Sequence, residues 1–397
     1  MSAPDTWDLV VVGAGPAGAA TVLGALHAAP GLRVLLLDRA DFPRDKPCGD
    51  GIAPHVLDAL AEVGVRDVAD DWAPVARLHI TRGTDGVERP MLRPTRVIPR
   101  RVFDARLVEH AVAAGAELRR HRVRAVAPAD EGAAVVVDGT VRARILVGAD
   151  GPRSVVRPAV GSPPGRRALA IRGYAPTPAG RAGLQVIAYG DRRQPSYAWS
   201  FDRGDGLANV GYGELIDAGT AQQAPSRALL LAELERLLPG ATDGGADWAA
   251  HHLPLSGWPG RRSPTAWGGR VLLAGDAAGL VNPMTGEGIY YAVATGLLAG
   301  RAAATGDPAR AGRDYRAATR DLLAAHQRHT TAASRLSASP RVVSAGIAAS
   351  RRSQRVFDDL VEIGLGRGRI TPRLGAGLLT SLVPRSRTTP EETPWRS

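Results

Sequence analysis

Residues Trp7 to Val12 form a compact apolar run, and the six residues after it read Gly13-Ala-Gly15-Pro-Ala-Gly18. A short run that is apolar on both faces reads as a parallel strand covered on two sides. Three glycines at this spacing narrow what can follow. The first makes a tight turn, the second lets a pyrophosphate approach the backbone, and the third lets a helix pack against the strand. A small-residue helix is expected to Ala28, then a second strand from Leu32 to Leu37 ending in Asp38, 20 residues beyond Gly18. A carboxylate there can hold ribose hydroxyls. Gly13, Gly15, Pro16, Ala17, Gly18, Asp38 and the adjoining Arg39 are therefore nucleotide-binding candidates, and the fold class is α/β with a Rossmann-like start.

A second strand–turn–helix passage lies far along the chain. Val271 to Ala274 reads as a buried strand, and Gly275-Asp276 ends it with a turn and one carboxylate. Pro283, Gly286 and Gly288 mark a loop whose backbone can approach another group closely. From Ile289 the pattern is helical. That helix start is expected to offer unpaired N–H donors and about half a positive charge, which suits a ligand that becomes anionic, such as a reduced flavin ring.

Three further loops lie between these passages. Phe42-Pro-Arg44-Asp-Lys46-Pro-Cys48-Gly49-Asp50-Gly51 is shaped by its prolines and glycines. Cys48 reads either as a small buried filler or as a group with chemistry. As the only cysteine, it leaves no intrachain disulfide and no cysteine-based zinc site, and no metal is expected. Val97 to Asp104 carries Arg100, Arg101 and Phe103 into an amphipathic helix. Val123 to Val126 reads as a strand whose backbone could border an adenine. Ile145 to Gly148 is another buried strand, followed by Asp150-Gly151-Pro-Arg153-Ser154-x-x-Arg157.

These loops resemble those of the geranylgeranyl reductase family, within the wider group of para-hydroxybenzoate-hydroxylase-like flavoproteins. The resemblance spans roughly residues 7–300. It implies FAD as cofactor. By resemblance, Asp276 contacts the ribityl chain, and Gly286, Gly288 and Ile289 face the pyrimidine edge; Pro283 of the same loop is a cofactor-binding candidate. Arg44, Lys46, Cys48 and Gly49 run past the flavin, Arg100 reaches the phosphates, and Asp150 and Gly151 lie near the pyrophosphate.

From Ala168 to Trp267 the pattern changes to short β-like runs at 168–174, 183–189, 196–201 and 207–212, expected to form an antiparallel sheet. Tyr197-x-Trp199-x-Phe201 resembles the family's Tyr-x-Trp-x-Phe-Pro segment, whose aromatics line a lipid cavity, although Asp202 replaces the proline. Tyr197 and Trp199 join Cys48 as candidate catalytic residues; the alternative is an aromatic strand packed into core. A short amphipathic helix is expected over 229–238, and helices over 310–329 and 342–365. The domain expectation is a discontinuous FAD-binding domain (1–75, 96–160 and 268–305), a substrate-binding sheet domain (76–95 and 161–267), a C-terminal helical region (306–384) and a disordered tail (385–397).

The net charge of +11 is almost wholly arginine spread along the chain, with Lys46 the only lysine. No dense basic block with interleaved aromatics is present, so no nucleic-acid partner is expected. The N-terminus lacks a signal-peptide pattern, and no apolar run approaches the ~18 residues of a membrane helix. A cytoplasmic enzyme is expected, with peripheral membrane contact left open. No second glycine fingerprint exists, so NAD(P)H would bind transiently, or a partner reductase or ferredoxin would supply electrons. The first functional expectation is reduction of C=C bonds in an isoprenoid or prenylated lipid by hydride from reduced flavin. The alternatives are a monooxygenase of a lipophilic metabolite and a flavin-free prenyl-binding protein. A halogenase is disfavoured because Trp-x-Trp-x-Ile-Pro is absent.

Overall fold

The computed structural model describes residues 6–161, 165–216, 224–257 and 263–382. Two sheets organise them. The first runs, in spatial order, Thr265–Ala266, Val271–Leu273, Val141–Gly148, Thr6–Val12, Val34–Asp38 and Glu117–Arg120. Its inner strands are parallel, Leu9 to Val12 lying beside Val34 to Leu37 on one side and Ile145 to Gly148 on the other. Both faces are covered, so these strands read as unbroken aliphatic runs in which Val10, Val11, Leu35 and Leu36 are wholly buried.

Helix α1 (Pro16–Ala28) leaves the first strand through the glycine turn. A Cβ on Gly18 would stand 1.7 Å from the Gly13 carbonyl, so only glycine lets the helix sit this close to the strand end. Helices α2 (Pro54–Ala61) and α3 (Arg100–Ala113) follow, then α4 (Arg227–Leu237) against the second sheet and α5 (Ile289–Ala303) against α1. The α1–α5 crossing is unusually close. A Cβ on Gly300 would lie 2.0 Å from the Thr21 carbonyl, and one on Gly296 2.3 Å from that of Ala17.

The stretch 123–126 is not one strand. The strand that extends the first sheet is Glu117–Arg120, and Val126–Ala129 belongs to a hairpin that branches from the same sheet through Ala134–Val137 beside Val141–Gly148. The link between them is shaped by Asp138, whose carboxylate accepts from the backbone N–H groups of Arg124 and Ala125 at 3.0 and 2.8 Å.

The second sheet runs Ala246–Pro254, Arg167–Pro176, Leu207–Ile216, Tyr197–Asp202, Leu184–Tyr189, Val75–Arg82, Asp85–Val97 and Gly51–Ile52. It is mixed and not purely antiparallel, because Leu184–Tyr189 pairs in parallel with Val75–Arg82. The early hairpin of residues 75–97 thus joins five strands that come later. Gly51 and Ile52 also pair into it, opposite Val97 and Arg96, across the expected boundary between the two units.

The C-terminal region is helical: α6 (Pro308–Leu336), α7 (Pro340–Arg352), α8 (Gln354–Leu365) and α9 (Pro372–Leu382). The single helix expected over 342–365 is two. Ser353 leaves the helical conformation and caps α8 by accepting from the Val356 N–H. Tyr315 of α6 donates to the Leu273 carbonyl at 2.6 Å, tying these helices to the first sheet. The expected tail, 385–397, lies outside the described residues.

Candidate active site

Gly15 is the N-cap of α1 and no side chain caps it, so the first N–H groups of that helix are left for an anion. A Cβ on Gly15 would lie 3.4 Å from a guanidinium nitrogen of Arg44 and 4.0 Å from one of Arg100. Asp104, wholly buried, holds both: Arg44 Nη1 at 2.9 Å, and Arg100 Nε and Nη2 at 2.6 and 2.8 Å. One carboxylate against two guanidiniums leaves positive charge beside the turn, where a diphosphate belongs. Arg100 differs from expectation in one respect. Its fork is closed on Asp104, so it acts as a fixed charge next to Gly15 and not as a side chain that reaches out; Arg101 is exposed.

Asp38 accepts from the Ala14 N–H at 2.8 Å and the Ala40 N–H at 2.9 Å, and each oxygen keeps a lone pair for a ribose hydroxyl. Arg39 and Val123 line the cavity beside it. Gly18 does not line it; its role is the packing described above. Asp150 abuts Gly13, whose Cβ would stand 2.8 Å from the Asp150 Cα. Its Oδ2 accepts from Val155 N–H at 2.7 Å, while Oδ1 is buried without a partner. Burial pushes this carboxyl up. A buried acceptor with nothing to accept from suits a ligand hydroxyl.

At the other end of the site, Lys46 Nζ lies 3.2 Å from Asp276 Oδ2. Burial pushes Asp276 up, yet Lys46, His251 and Arg100 together hold its carboxyl below the usual range. Arg157 clasps this turn from the Asp150 loop, donating to the carbonyls of Ala277 and Asp276 at 2.7 Å each. The start of α5 departs from expectation. Glu287 folds back and its Oε1 accepts from the Tyr290 N–H at 2.7 Å, so part of the helix N-terminus is already engaged. Burial pushes Glu287 up to about 7 against these N–H bonds.

Gly15, Asp38, Arg44, Lys46, Arg100, Asp150, Asp276 and Glu287 line one cavity of about 1260 Å³ that continues to Ile347, Leu360, Leu374 and Leu378 of the C-terminal helices. The glycine turn, the paired arginines, the orphaned Asp150 oxygen and the 276–289 loop fit FAD.

Comparison with known proteins agrees. The profile of the FAD binding domain family matches residues 6–213, more than half of the chain. A menaquinone reductase of Mycolicibacterium smegmatis is 33% identical over 339 residues, 80% of each protein. A digeranylgeranylglycerophospholipid reductase of Methanopyrus kandleri is 35% identical over 327 residues, 75% of this chain and 80% of the relative.

The chain belongs to the geranylgeranyl-reductase-like FAD-dependent oxidoreductases.

Solved structures show the same fold for this flavoenzyme. A geranylgeranyl bacteriochlorophyll reductase-like protein of Thermoplasma acidophilum superposes with a TM-score of 0.70 at 19% identity, over 95% of this chain and 96% of the other. The myxobacterial chondrochloren halogenase superposes with a TM-score of 0.67 at 21% identity, over 96% and 99%.

The candidate catalytic residues of the flavoenzyme lie together on the cavity wall but are not equally free. The Tyr197 hydroxyl donates to the Thr285 carbonyl of the flavin loop. The Trp199 indole donates to Asn209 Oδ1 at 2.8 Å. Both side chains are committed to holding shape, in an aromatic row from Tyr189 to Phe201 with ring centroids 6.0, 6.0 and 6.4 Å apart. Asp202, where the family has proline, fixes its strand end with a carboxylate that accepts from Thr177 at 3.0 Å and the Gly183 N–H at 2.6 Å. Cys48 is half-buried on the cavity wall, and burial pushes its thiol up.

Several site residues carry no role in the sequence reading. His251 lines the cavity with its Nε2 unpartnered, and burial, then Lys46, push it down to about 4. No spacing marks it, since it sits in an ordinary strand. Asn209, Asp104 and Glu287 all fall inside recognised segments, but their partners lie far away in sequence.

Proposed function

We propose that the enzyme saturates C=C bonds of an isoprenoid chain carried on a lipid or quinone head group. The observation that carries this reading is the cavity. At about 1260 Å³ it exceeds the ~300–1,000 Å³ usual for one ligand, so a long apolar chain fits beside FAD. Its far end is lined by aliphatic residues of α6 to α9. The two named relatives act on a quinone and a geranylgeranylated glycerophospholipid, which share a head group joined to a polyprenyl tail. Segments 1–75, 96–160 and 268–305 hold the cofactor in this reading, 76–95 and 161–267 carry the reacting segment of the chain, and 306–384 houses the tail.

FAD, when bound and reduced, supplies hydride. The chain's own residues do the rest. Lys46 and Asp276 fix the loop under the ring, Tyr197 and Trp199 form the wall against which the alkene lies, and Cys48 contacts it. NAD(P)H visiting transiently, or a reductase or ferredoxin, supplies electrons. No helix among the described residues is long and apolar enough to cross a membrane. Leu336, which lines the cavity, and Leu379 are 48% and 67% exposed, and they mark the end at which a lipid enters from a membrane surface.

The test uses the purified yellow protein. Its flavin is reduced, polyprenyl lipids and quinones are added, and products are weighed under nitrogen and under labelled oxygen. Products that gain hydrogen pairs under nitrogen support the reductase. Products that gain labelled oxygen, and form only in its presence, overturn it in favour of a monooxygenase.

A further inference from the structure

Asp50 is the least economical residue near the cavity. It is wholly buried, its backbone sits at φ 58°, and one of its two oxygens has no partner. Buried carboxyls, left-handed non-glycine residues and orphaned acceptors each cost stability, and such costs gather where function needs them. The surroundings give the group a direction. Oδ2 accepts from the Tyr174 hydroxyl at 2.5 Å and the Asn209 amide at 2.9 Å. Tyr174 does not line the cavity, whereas Asp50 and Cys48 do. Oδ2 is therefore tied to Tyr174 and Asn209, and Oδ1 is the oxygen left to carry a proton.

Cys48 is the next group inward. Its sulfur faces the Asp50 N–H and the Arg100 guanidinium, and its carbonyl accepts from Asn209 at 2.8 Å. Arg172 and Arg203 cover the Tyr174 ring at 4.7 and 4.9 Å, and Arg172, itself on the cavity wall, pairs there with the half-exposed Asp45. The groups facing Asp50 are thus Tyr174, Asn209, Arg172, Arg100 and Cys48. Burial outweighs them and pushes its carboxyl up to about 6.

We propose that Asp50 stores the proton that completes alkene reduction and passes it to the cavity through Cys48, with Tyr174 as its link to the outside. The inference rests on the proposed reductase reading for its substrate. In the balanced step, reduced flavin gives a hydride to one alkene carbon, and the adjacent carbon takes the Cys48 thiol proton. The thiolate, held by Arg100 and the Asp50 N–H, is reprotonated by the Asp50 carboxylic acid. Asp50 is left as a carboxylate on Tyr174 and Asn209 until water reloads it. Asp50 does not touch substrate; it is a positioning and proton-supplying residue.

Asp50→Asn is isosteric, tolerates the left-handed backbone, and can keep its amide oxygen on Tyr174 and Asn209. The experiment has two arms on the FAD-loaded protein. In the first, infrared difference spectra follow the protonated-carboxyl band from about pH 5 to about pH 8, across the usual carboxylate-to-histidine range. Wild type loses a band that Asp50→Asn lacks. Tyr174→Phe removes a hydrogen bond that favours the carboxylate and moves the loss to higher pH. In the second, anaerobically reduced enzyme is mixed with a geranylgeranyl lipid in detergent and flavin reoxidation is timed. The wild-type rate falls as pH rises through about 6, while Asp50→Asn is about tenfold slower and flat with pH. A wild-type pH profile in Asp50→Asn, or no Asp50 band in wild type at the acid end, overturns the inference. A wild type that titrates as described yet never reduces the lipid panel instead overturns the reductase reading and leaves the proton-storing assignment standing.

Discussion

At the residue scale, the chain's only lysine stands against Asp276, while arginine serves at every other basic position. An ammonium is a compact point charge, whereas a guanidinium is a planar fork that needs more room. Asp276→Ala leaves that partly exposed ammonium without its carboxylate. It should cost about 1.5–3 kcal/mol of FAD binding, on the order of 10- to 100-fold in Kd by flavin titration; a variant that purifies fully yellow would remove the anchor of the site. Glu287 makes a pH prediction. Its carboxyl is raised from 4.5 to about 7, so the fold binds this proton more tightly than the unfolded chain does. Stability is therefore lost as pH climbs from 4.5 toward 7 and stays lost above it. Glu287→Gln should flatten the fall of the thermal midpoint of FAD-free protein over that window, and an unchanged slope would show the carboxyl to be unperturbed. Residues of this kind divide in how far they could be read in advance. Gly13, Asp38 and Asp276 belong to local patterns whose spacing carries the chemistry. The engagement of Glu287 with α5 and the closure of Arg100 on Asp104 are choices between partners that local spacing leaves open.

At the scale of elements, the crossing of α1 and α5 brings the two ligand-facing helix starts onto one scaffold. Gly300→Val places methyl groups where the Thr21 carbonyl already stands 2.0 Å from any Cβ. The helices must part, at about 1–3 kcal/mol in chemical denaturation, and FAD retention should fall with them although the substitution lies outside the cavity. Unchanged retention would show that the two helix starts are positioned independently. The same scale shows where reading from sequence works. Strands with aliphatic runs and helices entered through glycine turns declare themselves, because period and punctuation coincide. The break at Ser353 does not, since Arg351-Arg352-Ser353-Gln354 contains neither proline nor glycine and the turn is closed by a serine cap. The parallel edge between Leu184–Tyr189 and Val75–Arg82 was equally hidden, being a pairing of segments about a hundred residues apart that neither segment advertises.

At the scale of the whole molecule, one cavity crosses two sheets and a helical cap. Gly346 of α7 lines it, and a Cβ there would lie 3.8 and 3.9 Å from Leu378 and Leu360. Gly346→Phe should push a ring into the apolar end, leaving the flavin spectrum intact while raising KM about tenfold or more for long-chain substrates and sparing short ones. Equal effects on both would place the tail elsewhere. The contribution of α6 to α9 to this wall was not legible beforehand, because their apolar faces look like ordinary helix packing until the partner surface is known. The same long-range build has a consequence for how the protein is made. Lys46 and Asp276 meet across 230 positions, and α1 finds its partner only when α5 exists. A ribosome that has released the glycine turn has not yet made the 276–289 loop that completes the proposed cofactor site. Nascent chains stalled before Val271 should fail to retain FAD, and chains released through Ala303 should begin to do so. Cofactor supply then acts late in synthesis, and an emerging chain must keep its half-built first sheet from aggregating for most of its translation.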